Sequence, residues 1–217
     1  MTLIECRGIL FDMDGVLVDS TPAVARVWSA WANEHGFEPD DVVRRAHGRP
    51  SLATIAELLP DGNCRAENDE VERREIEDVE GVIALPGAAE LLNSLPMARW
   101  AVVTSATRAL AEVRIRAGNL PFPKNFVTAN DITHGKPHPE PYRKGAQLLG
   151  LAPAECVVIE DAPAGIRAGK AAGAKVIALR TTAEDAELRQ SGAEWIVKDL
   201  GRLSIAFNSS NLTIQLV

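Results

Sequence analysis

Five short apolar runs constrain this chain more than any other feature of its sequence. Residues 8–12 (GILFD), 100–104 (WAVVT), 156–161 (CVVIED), 175–179 (KVIAL) and 194–197 (EWIV) are nearly continuous in hydrophobic side chains. A half-exposed antiparallel strand would alternate, whereas a strand covered on both faces of a parallel sheet has no polar face to show. Between the runs lie stretches with helical spacing, at 85–95, 105–118, 140–150, 163–173 and 182–192, several of which end at glycine. Glycine accepts the left-handed turn that closes a helix. Strand and helix in this alternation predict an α/β fold, a doubly wound Rossmann-like parallel sheet.

The rhythm breaks from about Ser20 to Ala84, where no strand is predicted. TPAVARVWSAWANEHG starts with Thr21 as a candidate N-cap and Pro22 at the first helical position, and places Val24, Val27, Trp28 and Trp31 on one face. Those tryptophans could form a ligand platform, but an apolar stripe at helical spacing reads first as core. Further helices are expected near 39–46, 51–59 and 66–79. The last is dense in Glu, Asp and Arg, which reads as a solvated face with i,i+4 pairs. The chain therefore divides into a core of residues 1–19 and 85–217 and an all-helical insertion of residues 20–84. The C-terminal LSIAFNSSNLTIQLV reads as an antiparallel strand pair at the sheet edge, turning at Asn208 to Asn211.

Composition narrows the partners. The 217 residues carry 23 basic and 30 acidic side chains, a formal charge of −7, so no bulk attraction draws the chain to nucleic acid or an anionic membrane. No apolar run approaches the ~20 residues of a membrane span. Residues 1–11 lack the basic start and cleavage site of a signal peptide, which leads to the expectation of a cytoplasmic protein. Cys6, Cys64 and Cys156 show no metal-ligand spacing, and Cys6 and Cys156 adjoin apolar runs, as buried, reduced thiols do. Asn208-Ser209-Ser210 and Asn211-Leu212-Thr213 match the glycosylation pattern but are read only as polar turn. The sequence leaves oligomeric state open and is compatible with a monomer.

In an open parallel sheet, ligands bind beyond the carboxyl ends of the strands, and here those ends carry reactive groups. FDMDGVLVDS puts Asp12 and Asp14 two residues apart with Gly15 next to them. Two such carboxylates need a cation or a shared proton. WAVVTSAT ends in Thr104 and Ser105, which could contact an anion or simply cap a helix. THGKPHPEPY offers Lys136, with His134 and His138 read as loop histidines rather than ligands. CVVIEDAPAG ends in Glu160 and Asp161, which could be ligands or acids favoured by a helix N-terminus. Each is ambiguous alone. Together they converge on one crevice whose hard oxygen donors suit Mg²⁺ and whose hydroxyl and lysine suit a phosphoryl group.

FDMDGVLVDS, VVTS, GKPHPEPY and VIEDAPAGIRAGKAAG, spanning about residues 8–180, resemble the motifs of the haloacid dehalogenase superfamily of aspartate-dependent phosphotransferases. The resemblance implies that Asp12 is the nucleophile and Asp14 the general acid and base. It implies that Thr104 or Ser105 and Lys136 orient the phosphate. It also implies Mg²⁺ on Asp12, the Asp14 carbonyl and Asp161, with Glu160 acting through water. The insertion resembles the family's first class of helical cap, whose specificity loop AHGRPSL would place His47, Gly48 and Arg49 near the leaving group. Within the superfamily the chain is similar to bacterial hexitol and sugar phosphatases and to the β-phosphoglucomutase branch. The mutases carry a histidine ten residues after the acid/base aspartate, where this chain has Val24. That likeness implies a Mg²⁺-dependent phosphatase acting on small sugar or polyol phosphates through an aspartyl phosphate. A sugar phosphomutase and a non-catalytic phosphate-binding regulator are the alternatives.

Overall fold

A computed structural model describes residues 2–46, 50–208 and 211–217. In chain order the strands are β1 (Thr2–Cys6), β2 (Gly8–Phe11), β3 (Val18–Asp19), β4 (Ile83–Ala84), β5 (Trp100–Val103), β6 (Phe126–Val127), β7 (Cys156–Glu160), β8 (Lys175–Leu179), β9 (Trp195–Val197), β10 (Leu203–Phe207) and β11 (Leu212–Leu216). The helices are α1 (Thr21–His35), α2 (Pro39–Ala46), α3 (Ser51–Leu58), α4 (Cys64–Glu77), α5 (Ala88–Ser94), α6 (Arg108–Ala117), α7 (Glu140–Leu148), α8 (Pro163–Ala172) and α9 (Asp185–Gln190).

Six strands form one parallel sheet in the order β6-β5-β2-β7-β8-β9. The five predicted apolar runs all belong to it. Successive residues of a strand point to opposite faces, so each run feeds two cores. Ile9, Phe11, Trp100, Val102, Val157 and Ile159 pack on one face with Leu91, Leu92 and Ile115. Leu10, Ala101, Val103, Val158 and Val176 pack on the other with Tyr142, Ala146 and Ile166. That two-sided burial is why the runs lack alternation. Chain order reverses at the β2–β7 boundary, where the crossovers leave to opposite sides and open a crevice past the strand ends.

The insertion has its own apolar cluster. Val27, Trp28, Trp31, Val42, Ile55 and Val71 meet between α1, α2, α3 and α4, and Trp28 and Trp31 pack edge to face at 5.6 Å. Trp31 is thus core, as the spacing predicts, while Trp28 packs in the same cluster and, with Val24, also lines the cavity. The insertion leaves the sheet at β3 and returns at β4, and these two strands pair antiparallel with Val18 opposite Ala84 and Asp19 opposite Ile83. Two residues a strand are too few to leave a periodic pattern, so this ladder is not among the predicted elements.

Three further expectations are corrected. The C-terminal pair β10–β11 forms, but it joins β1 in a separate three-stranded sheet, order β1-β11-β10, rather than extending the parallel sheet. Helix α1 has Ser20, not Thr21, as its N-cap, and the Ser20 side chain makes no cap bond. Helix α6 begins at Arg108, capped by the Thr107 hydroxyl accepting from Leu110 N–H, so Thr104 and Ser105 belong to the preceding loop. The loop residues His47, Gly48 and Arg49 and the turn residues Ser209 and Ser210 lie outside the described residues.

Candidate active site

The loop after β2 is wound tightly because Met13, fully buried, anchors it: its carbonyl accepts from the N–H groups of Val16, Leu17 and Val18. Gly15 turns the chain with φ of 79° and lies so close to the β7 loop that a Cβ there would sit 2.0 Å from Asp161 Oδ2. Glycine meets both demands, positive φ and absent side chain. The turn sends Asp12 and Asp14 in different directions. Asp12 is buried and stands 2.7 Å from Lys136 Nζ. Asp14 accepts from Ser20 Oγ at 2.6 Å and from Arg114 at 3.0 Å, both through Oδ1.

Lys136, Glu160 and Asp161 complete the floor. Lys136 Nζ also donates to Glu160 Oε1 at 2.7 Å, as does Tyr142 OH at 2.7 Å, while Glu160 Oε2 accepts from the N–H groups of Asp161 and Ala162. Four donors thus fix this carboxylate in place. Gly165 permits this, since a Cβ there would fall 1.5 Å from Glu160 Oε1. Asp161 accepts from Thr182 Oγ at 2.6 Å through Oδ2, but its Oδ1 is buried without a hydrogen-bond partner.

The electrostatics are those of a site short of positive charge. Burial, then Glu160 and Asp14, push Asp12 up to about 7 in spite of Lys136. Burial, then Glu160 and Asp12, hold Asp161 well above the usual carboxylate range. Burial also opposes ionisation of Glu160, yet Lys136, Tyr142 and the Ala162 N–H outweigh it and keep Glu160 below its ordinary value. Lys136 would be lowered by burial but is held above an ordinary lysine by Asp12 and Glu160. One lysine thus faces the three buried carboxylates of Asp12, Glu160 and Asp161, whose oxygens lie within 4.8 Å of one another and could hold a metal ion. Hard oxygen donors, excess negative charge and the orphaned Asp161 Oδ1 fit a small divalent cation.

A cavity of about 490 Å³ rises from this floor to the helical insertion, and Asp12, Asp14, Thr104, Ser105, Lys136 and Asp161 all line it. Thr104 is buried; its N–H donates to Val127 in the sheet and its Oγ accepts from Ala106 N–H at 3.1 Å. The sequence thus brought together the strand-end residues that the fold assembles. It missed Tyr142, Thr182, Ser20 and Arg114. Tyr142 and Ser20 lie inside the motif stretches GKPHPEPY and FDMDGVLVDS and could have been flagged there. Thr182 and Arg114 sit on elements whose approach only the tertiary fold determines.

Arg114, on α6, is the least expected of them. It is 5 % exposed and bridges Asp14 to Glu75 of α4, 3.0 Å from each. Trp28 Nε1 donates to the other Glu75 oxygen at 3.1 Å. The charge run of α4 is therefore only half the solvated face predicted. Glu70, Arg73, Arg74 and Glu77 do pair i,i+3 and i,i+4, but Asn68, Glu72 and Glu75, at i, i+4 and i+7, turn to the cavity. Elsewhere, burial pushes both Cys6 and Cys156 up to about 12, in keeping with inert core thiols. His134 and His138 are exposed beside Glu140, with ligand atoms near enough to hold an ion, although both flank the site rather than line the cavity. No described helix is long and apolar enough to cross a membrane.

Comparison with known proteins bears on this geometry. The family model for haloacid dehalogenase-like hydrolases matches residues 6–173. Hexitol phosphatase A of Escherichia coli (strain K12) is 46 % identical over 191 residues, covering 86 % of this chain and 88 % of that protein. Glycerol-1-phosphate phosphohydrolase 2 of Saccharomyces cerevisiae is 39 % identical, covering 90 % and 83 %. Among solved structures, a HAD family hydrolase from Deinococcus radiodurans R1, with bound phosphate and sodium, superposes with a TM-score of 0.67 at 28 % identity, covering 90 % of this chain and 92 % of that one.

Proposed function

The chain belongs to the haloacid dehalogenase-like hydrolase family, and from that premise we propose that it is a Mg²⁺-dependent phosphatase of small sugar or polyol phosphates, working through a phosphoryl-aspartate. The observation that carries this reading is the division of labour between Asp12 and Asp14. One is held by a buried lysine on the cavity floor, and the other is turned toward Ser20 and Arg114 at the cavity's flank. A nucleophile must face phosphorus, whereas an acid must face the leaving oxygen.

In the first step an Asp12 oxygen forms a bond to phosphorus as the ester P–O bond breaks, and Asp14 delivers a proton to the departing alkoxide. In the second, Asp14 takes a proton from water as the water oxygen attacks the same phosphorus, releasing orthophosphate and restoring Asp12. Lys136, fixed by Glu160, supplies positive charge to the phosphoryl oxygens in both steps. Thr104 or Ser105 lies on the β5 side of the cavity to contact the same group. Asp12 and Asp161, with the Asp14 carbonyl and Glu160 at the margin, would hold Mg²⁺, which neutralises phosphoryl charge and aligns the nucleophile. Residues 20–84 act as a cap that shields the phosphoryl group from bulk water and forms the leaving-group wall. Val24, apolar and lining that wall, offers no side chain to take or give a proton, which favours water over a second sugar hydroxyl as acceptor.

The substrate class rests on the hexitol and glycerol phosphatase relatives. Orthophosphate release from hexitol, hexose and glycerol phosphates tests it, with Asp12→Asn as the control that must fold and lose turnover. Residual activity in Asp12→Asn, or isomerised sugar phosphate as the main product, would overturn the reading.

A further inference from the structure

Resting on the phosphatase reading above, the geometry points to Glu72 as a specificity-determining residue. With Asn68 beside it, Glu72 accepts hydrogen bonds from hydroxyls of the leaving group and restricts that group to uncharged polyhydroxy chains. Both residues lie on the stripe of α4 that faces the cavity. Glu72 is spaced one turn from Glu75, about 4.5 Å along the helix, and Glu75 is joined through Arg114 to Asp14. A leaving group whose oxygen meets Asp14 must therefore extend toward Glu72.

The partners of these side chains show what they still offer. Thr107 Oγ donates to Glu72 Oε1 at 2.5 Å, fixing the side chain across the gap between α4 and the loop before α6. No donor among the described residues reaches the other Glu72 oxygen. Ser51 Oγ donates to Asn68 Oδ1 at 2.6 Å, which leaves the Asn68 amide to donate. Val24, Leu52, Leu110 and Ile132 add apolar surface to the same cavity, beside the hydroxyls of Thr21 and Thr133. A fixed acceptor and a fixed donor beside apolar surface suit a chain of hydroxyls on carbon.

Among the described residues the same wall is acidic, with Glu72 and Glu75 in its lining. Among the described lining residues the cations are Lys136, committed to the floor, and Arg114, already paired with Asp14 and Glu75. A carboxylate or second phosphate at the far end of the substrate would face Glu72 with no uncommitted described cation, and like charges in a partly desolvated site discriminate strongly. The phosphoryl end is recognised by the floor, whatever the rest of the molecule is. Glu72 decides between leaving groups.

The test compares a hexitol 6-phosphate with its analogue bearing a carboxylate in place of the terminal alcohol, and with p-nitrophenyl phosphate, which has no hydroxyls. Wild-type kcat/KM should favour the hexitol ester over the acid by about tenfold or more. Glu72→Gln keeps shape and removes charge, and should reduce that preference by about fivefold, chiefly through KM. It should also lower the ratio of hexitol ester to p-nitrophenyl phosphate turnover. Glu72→Lys should invert the preference, and thermal unfolding of each variant confirms the fold. A wild type that hydrolyses ester and acid alike, or a preference unmoved in both variants, overturns the role of Glu72 and leaves the phosphatase intact. Absence of turnover on every ester, p-nitrophenyl phosphate included, overturns both.

Discussion

Replacing Arg114 by methionine removes the one cation between two carboxylates in the wall where α4 meets α6. Arg114 is 5 % and Glu75 8 % exposed, so the charge left behind on Glu75 is poorly reached by solvent. Removing one partner of a buried pair costs ~3–5 kcal/mol. In a domain of this size each kcal/mol moves the melting temperature by ~2–4 °C, so Arg114→Met should melt ~6–20 °C lower. The pH dependence gives a sharper reading. Burial already raises Glu75 above the usual carboxylate range, with Arg114 opposing the rise and Asp14 and Glu72 adding to it. A folded-state carboxyl that holds its proton more tightly than the unfolded chain loses stability as pH climbs through that window. Without Arg114 the loss deepens and extends upward, so the deficit should be smaller near pH 5 than near pH 8. Thermal unfolding followed by circular dichroism measures both. Adding Glu75→Gln to the variant should recover part of the stability and flatten the pH dependence. A melting temperature within about 2 °C of wild type, or a deficit equal at both pH values, would refute the account of this triad.

Gly165→Ala should destabilise by ~1–3 kcal/mol and slow turnover, because the new methyl falls on a Glu160 carboxylate that four donors hold in place; an unshifted melting curve would show that Glu160 yields freely. Mg²⁺ at about a hundredfold excess over its Kd should stabilise the fold by ~2.7 kcal/mol, reversed by chelator. No thermal shift at any concentration would argue against Asp12 and Asp161 as its seat. Iodoacetamide near pH 8 should modify the half-buried Cys64 first, and Cys6 and Cys156 only after unfolding, as mass spectrometry of digests would show. Early labelling of either buried thiol would contradict their packing.

The parallel sheet was legible because two-sided burial leaves a one-dimensional trace, and Asp12, Glu160 and Asp161 were legible because the ends of such strands must converge, whereas Lys136, in the loop between β6 and α7, was legible only through the stretch GKPHPEPY. Residues that matter through partners distant in sequence left no such trace. Arg114 lies on a helix whose pattern looks merely amphipathic, and only its contact with Asp14, a hundred residues earlier, gives it meaning. Thr182 reads as the first residue of the helical stretch 182–192, whereas the helix starts at Asp185 and β8 brings Thr182 beside Asp161. In α4, charged residues on every side mask the inward stripe, because composition cannot say which third of a helix faces water. Strand β1 is not among the predicted strands, because a five-residue segment pairing with the far end of the chain gives no local signal of its partner.

The antiparallel contact of β3 with β4 has a wider implication. The chain departs at Asp19 and returns at Ile83, residues that are direct partners across two hydrogen-bonded strands. Everything between them is topologically a long hairpin loop, and none of its described residues contributes a strand to the six-stranded sheet. The six-stranded sheet is therefore complete without the module plugged in at that point, and what ties the two together is side-chain contact, Glu75 with Arg114 and Glu72 with Thr107. A helical bundle of different length, or another fold with closely spaced ends, can be exchanged there without disturbing the sheet's register. Changes in that inserted part can then accumulate while the sheet beneath it keeps its strand order.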